Sequence, residues 1–154
     1  MTEGLDIPPD TGRVLESVVL QVIADVHITE ARDRGRALAA QAGFSIGAQA
    51  VIAGAISEVA RNQVRYARNG TIELRVLAHG MNSGIRVIAR DEGPGIPDVD
   101  QAMVAGFSST HRSLGMGLAA ARRVMDEFFI VSRVGVGTVV AMAKWRYPRS
   151  VRVP

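Results

Sequence analysis

Cysteine is absent from this 154-residue chain. That excludes disulfide staples, thiolate metal sites and cysteine nucleophiles, and nothing in the composition suggests secretion. Aromatic residues are only 5% of the chain, too few for the stacking platforms of a single-strand nucleic-acid binder. The three histidines, His27, His79 and His111, are isolated and give no zinc-ligand spacing. Charge of one sign is also scarce. Eighteen Lys and Arg against fifteen Asp and Glu leave a net charge of +3, with the arginines scattered rather than gathered in a stripe. No nucleic-acid partner is therefore expected. No apolar run approaches a membrane span, and Met1–Thr11 is acidic and proline-bearing rather than signal-like. The expectation is a cytoplasmic protein without membrane association.

What is present is ordinary globular composition, 47% hydrophobic and 21% charged, in a length suited to one domain. Residues 1–13, with Pro8-Pro9 and Asp10-Thr11-Gly12, read as a flexible arm, residues 14–147 as the domain, and residues 148–154 as a basic tail. The β-branched run within Val14–Val26 predicts a strand, and Thr29–Ala42 a helix stopped by Gly43. Ser45 can cap a long helix running to about Tyr66. Strands are predicted over Thr71–Ala78 and Gly84–Asp91. Residues 92–114 read as mainly loop, with a short helix around Val99–Val104. A helix over Gly117–Glu127 and strands over Phe129–Val134 and Thr138–Tyr147 complete the order. Strand pairs mixed with helices imply an α+β two-layer sandwich, with helices on one face of a mixed, mostly antiparallel sheet.

Three segments carry chemistry. Glu58 and Asn62 stand four apart, so on a helix they project together, with small Gly54 and Ala55 one turn earlier. A carboxylate there can take a proton from an attacking hydroxyl, and an amide oxygen suits a Mg²⁺ ion that also holds phosphates. An exposed polar stripe at a helix end would look the same. Asp91 ends an apolar strand and precedes Glu92-Gly93-Pro94-Gly95, where glycine lets the backbone approach a flat ligand. Asp91 can then bond an adenine amino group, although a plain strand-to-loop turn needs no more than the Gly-Pro-Gly. The hydroxyl-rich Ser108-Ser109-Thr110 and Arg112 run into Leu114-Gly115-Met116-Gly117-Leu118 at a helix start. Free amides there, backed by the helix dipole, favour phosphate, and Arg112 can add a charge-assisted contact. The plainer alternative is a surface loop leading into a glycine-softened helix.

Other phosphate motifs fail. Gly115-Met116-Gly117-Leu118-Ala119-Ala120 formally fits the dinucleotide fingerprint, but a polar loop rather than a strand precedes it. No Walker loop and no protein-kinase H-R-D or D-F-G occurs.

Taken together, the segments resemble the GHKL ATPase/kinase superfamily with its Bergerat ATP-binding fold. Within it they look like the small serine/threonine kinases of the anti-sigma-factor group, most of all the RsbT-type switch kinases of stressosomes. The resemblance rests on Ile56-Ser57-Glu58-Val59-Ala60-Arg61-Asn62 with Tyr66-Ala67, on Asp91 through Asp98 including Ile96, and on Gly106 through Ser109 leading to Leu114–Leu118. Met125–Phe128 and the closing Gly137-Thr138-Val139-Val140 with Lys144-Trp145 extend it to roughly Val18–Arg146. The lid departs from the subgroup at His111-Arg112-Ser113.

The resemblance implies ATP and Mg²⁺ as cofactors, Glu58 as general base, Asn62 as metal ligand and Asp91 as adenine contact. Gly93, Gly95, Gly115 and Gly117 would shape the pocket. It implies a kinase acting on a STAS-domain antagonist protein in a partner-switching pathway, then released to a PP2C-type phosphatase. An anti-sigma factor, sequestering a partner such as a sigma factor with little turnover, is the alternative. A histidine-kinase fragment is disfavoured because no phosphoacceptor helix pair accompanies the boxes.

Overall fold

Ser45 fixes the start of the element that organises the domain. In the computed structural model, which describes residues 4–104 and 114–147, its hydroxyl accepts the Ala48 N–H at 3.2 Å. Helix α2 then runs Ile46–Tyr66, burying Ile52, Ile56 and Val59. Ahead of it lie strand β1 (Arg13–Gln21) and helix α1 (Asp25–Gln41). After it come β2 (Thr71–His79), β3 (Asn82–Asp91) and a short α3 (Val99–Ala102). Helix α4 (Leu114–Val124), β4 (Glu127–Arg133) and β5 (Gly137–Arg146) follow.

The five strands form one sheet in the order β1-β2-β3-β5-β4. Every pairing is antiparallel, so the mixed component expected of the sheet is absent among the described residues. The two-layer α+β sandwich itself is as expected. Residues of α1, α2 and α4 share a core with one sheet face, where Ile85, Val87 and Ala89 of β3 alternate inward. Each fully buried Ile or Val there stabilises the fold by about 1.5–3 kcal/mol.

The opposite sheet face is also partly covered. Leu5 is buried against Ile88, Val139 and Ala141. Asp10 pairs with Arg75 and Arg86 at 2.7 Å each, and the Arg86 guanidinium also donates to the Pro8 carbonyl. The described part of the expected arm thus lies against the sheet.

Several boundaries differ from expectation: β3 starts at Asn82 rather than Gly84, and α4 ends at Val124 with β4 starting at Glu127, where the sequence predicts a helix to about Glu127 and a strand from Phe129. The β-branched run does not continue to Val26, because Val22 turns into the core and its N–H bonds the Gly70 carbonyl at 2.7 Å. His27 Nδ1 accepts the Ile23 and Ala24 N–H groups, so α1 starts at Asp25 rather than Thr29. Helix α4 begins at Leu114 and takes Gly115-Met116-Gly117 into its first turn, three residues earlier than the glycines suggest.

Candidate active site

Helix α2 and the end of β3 face each other across a cleft of about 570 Å³, its open mouth included. Six expected site residues line it: Asn62, Asp91, Gly95, Ile96, Leu118 and Thr138. Asp91 pairs with Thr138 across β3 and β5, and its Oδ1 accepts the Gly93 N–H at 2.9 Å. Burial pushes the Asp91 carboxyl above the usual carboxylate range, an effect that backbone N–H bonds from Gly93 and Thr138 only partly offset.

The loop after Asp91 is tied down from two sides. Gly95 has φ +79°, and a β-carbon on it would stand 2.4 Å from the Arg133 carbonyl oxygen. Only glycine fits so close to the β4–β5 turn. Ser132 Oγ accepts the Ile96 N–H at 2.8 Å and lies 2.7 Å from Thr138 Oγ1, while the Gly135 N–H bonds the Pro94 carbonyl. On the other side, the Glu92 N–H bonds the Arg68 carbonyl at 2.8 Å.

Glu58 does not line this cleft. It borders a neighbouring groove between α2 and α4, beside Gly54 and Ala121. What joins the two is Gly117, where an added β-carbon would lie 2.8 Å from Glu58 Oε2 and 3.7 Å from both Asn62 amide atoms. The other carboxylate oxygen, Oε1, accepts from Arg61 Nη1 at 3.1 Å. Leu114, Gly115 and Met116 form the turn just before this contact. The N–H groups of a helix's first turn have no partner within the helix, so α4 presents donors beside the carboxylate and the amide. Ser108, Ser109, Thr110 and Arg112 lie outside the described residues.

Asn62 Nδ2 is buried with no hydrogen-bond partner among the described residues. A half-turn of the amide exchanges nitrogen for oxygen with almost no change of shape. The position can therefore offer one neutral oxygen to a magnesium ion, which characteristically takes its other ligands from phosphate and water. The donor set fits. Among the described residues no group of three or more His, Asp or Glu side chains could hold a metal.

Sequence reasoning did not single out Gln63 or Ser132. Gln63 is 4% exposed and lines the cleft. A signal was available: it continues the inward stripe of Ile56 and Val59, where a polar residue must have a reason to be buried.

Residues 23–144 match the family described as "Histidine kinase-like ATPase domain". The chain belongs to that family. It is 42% identical to the Serine/threonine-protein kinase RsbT of Bacillus subtilis (strain 168) over 126 residues, 82% of this chain and 94% of that one. It is 34% identical over 112 residues to the Anti-sigma F factor of Caldanaerobacter subterraneus subsp. tengcongensis, covering 71% of this chain and 78% of the relative. The fold matches the nucleotide-free catalytic domain of histidine kinase ThkA with a TM-score of 0.52 at 14% identity, over 87% of this chain and 100% of that domain. At that identity the likeness speaks to the fold. The GHKL resemblance in the sequence boxes and the family match agree, and the antiparallel α+β architecture is that of the family. No described helix is long and apolar enough to cross a membrane.

Proposed function

We propose that this chain is a Mg·ATP-dependent protein serine/threonine kinase of the cytoplasm, acting on a STAS-domain antagonist protein in a partner-switching pathway. The observation that carries the reading is the meeting of Glu58 and Asn62 with Gly117 in the first turn of α4, beside the Asp91 cleft. The similarity to RsbT supports the choice of a protein hydroxyl as acceptor. Asp91 bonds the adenine amino group, and its half-buried carboxylate is an acceptor already shaped by Gly93. The amides of the α4 first turn hold phosphate oxygens.

Glu58 is the general base. Arg61 holds Oε1, and Oε2 faces the helix start where the phosphates belong. The incoming serine or threonine oxygen bonds the γ-phosphorus, the bond to the β-phosphate oxygen breaks, ADP leaves, and the hydroxyl proton passes to Glu58. Asn62 supplies the protein's ligand to Mg²⁺, which when bound neutralises phosphate charge. After the transfer the kinase parts from its phosphorylated antagonist and is free to bind and activate a PP2C-type phosphatase.

The second reading is an anti-sigma factor or sequestering module with little turnover, favoured by the 34% identity to an Anti-sigma F factor. Labelled ATP, Mg²⁺ and a STAS-domain protein as substrate separate the two. Label on the partner with wild type, reduced about 10²–10⁴-fold by Glu58→Gln while nucleotide still binds, supports the kinase and its base. Nucleotide binding without any transfer by wild type would move the reading to sequestration.

A further inference from the structure

Gln63 sits one residue beyond Asn62 and is almost fully buried. Its Nε2 donates to two backbone carbonyls, Thr71 at 3.0 Å and Arg90 at 2.9 Å. These residues face each other at the last rung of the β2–β3 ladder, and Arg90 immediately precedes Asp91. The amide orientation is settled by this pair, since an oxygen turned toward two carbonyl oxygens would be repelled. Its other end, Oε1, is left buried with no partner among the described residues. A helix residue that satisfies two strand carbonyls at the expense of its own oxygen is placed for the strands.

We propose that Gln63 is a positioning residue for purine recognition. It fixes the end of β3 to α2, and so sets the Asp91 carboxylate relative to the Asn62 side of the cleft. Apolar packing of α2 on β3 and the close approach of Gly93 to Ala67 also join these elements, but Gln63 adds a directional tether at the last rung itself. Asp91 and Thr138 close the β3–β5 ladder, but β5 belongs to the sheet and moves with it. The loop contact from the Glu92 N–H to the Arg68 carbonyl lies beyond Asp91 and within the connection that follows α2. Gly70 packs against the Gln63 side chain so closely that a β-carbon on it would stand 3.0 Å from Gln63 Cβ, which holds the tether in one place. Gln63 touches no reacting atom. It acts through Asp91, and the proposal rests on the reading of Asp91 as the adenine contact.

The test measures nucleotide affinity without phosphotransfer. Dissociation constants are compared for ADP and for purine riboside diphosphate, which lacks only the 6-amino group, with wild type, Asp91→Asn, Gln63→Met and Gln63→His. Wild type is expected to prefer ADP by about tenfold or more, the effect of one hydrogen bond to a charged group. Asp91→Asn should abolish most of that preference. If it does not, the reading of Asp91 fails, whatever Gln63 does.

Gln63→Met keeps the bulk and removes both donors. It is expected to cut the ADP preference at least threefold while leaving the affinity for the desamino nucleotide within about twofold. Gln63→His, which keeps one donor, should fall between, and it carries the test if the Met variant does not fold. A uniform loss for both nucleotides, or none for either, would overturn the proposal and leave Gln63 as a stability residue alone.

Discussion

Gly117 of α4 lies against Glu58 of α2 so closely that a β-carbon there would stand 2.8 Å from the carboxylate Oε2. The obstruction is the far end of a flexible side chain rather than backbone. Gly117→Ala should therefore leave the fold intact, even gaining about 0.5–1 kcal/mol of helix preference. The carboxylate, however, must swing away from the α4 start. Phosphotransfer is expected to fall about 10–100-fold with the melting temperature unchanged or higher, as misplacement of a reacting group by a fraction of a residue predicts. A labelled-ATP assay beside a thermal melt checks this. Full activity in the variant would separate Glu58 from the chemistry.

Asp91, proposed above as the adenine contact, illustrates the opposite balance, since burial of its carboxyl works against stability. Burial raises its folded-state pKa above the ordinary value of 3.8. A raised carboxyl pKa means the folded chain holds its proton longer than the unfolded one. The associated stability is complete below pH 3.8 and is lost as pH rises through the folded-state value. Above that value the nucleotide-free protein carries the penalty of a partly buried carboxylate. Asp91→Asn should then melt about 2–5 °C above wild type at pH 7. The gap should close as the pH approaches 4, while nucleotide affinity is lost. Melts of both chains across pH 4–8 measure it, and a variant less stable at every pH would contradict it.

Local chemistry made much of this readable. A serine before an apolar run marks α2, and Gly-Pro-Gly after an acid marks the turn at Asp91, because each signal and its effect lie within a few residues. Long-range partners were not readable. The carbonyls that Gln63 bonds are 8 and 27 residues away, and the arginines that hold Asp10 are 65 and 76 away. Pro8-Pro9-Asp10 carries no periodicity, so composition alone reads it as loose. The β1–α1 boundary failed for a related reason. Strand preference is a property of the residues, while the stop comes from the His27 ring bonding two backbone amides.

Ser132 tests how the cleft loop is held. One hydroxyl accepts from Ile96, meets Thr138 Oγ1 and reaches the Gly137 carbonyl at 3.1 Å. Ser132→Ala leaves the Ile96 N–H without its acceptor. The expected cost is about 1–2 kcal/mol in chemical denaturation. Nucleotide affinity should weaken severalfold, because Ile96 and Thr138 both line the cleft. An unchanged affinity would mean that the Pro94–Gly135 and Glu92–Arg68 bonds suffice to hold the loop.

On the far face of the sheet, Asp10 tests whether the N-terminal segment belongs to the domain. Burial alone would raise its pKa, but hydrogen bonds and charge from Arg86 and Arg75 more than offset this and hold it below the ordinary carboxylate value. The Arg86 side chain is only 8% exposed. Removing the carboxylate leaves that guanidinium largely buried with the Pro8 carbonyl as a remaining partner. Asp10→Ala should therefore cost about 2–3 kcal/mol, less than a fully buried pair because Asp10 and Arg75 keep some solvent contact. The sign with pH is the reverse of Asp91. The stability Asp10 contributes is present above about pH 4 and fades as the pH falls through the lowered folded-state value. Wild type and Asp10→Ala should differ most at neutral pH and converge in acid. A variant as stable as wild type at pH 7 would show that the Asp10 carboxylate adds nothing to the fold, and that the arginines of β2 and β3 find sufficient partners without it.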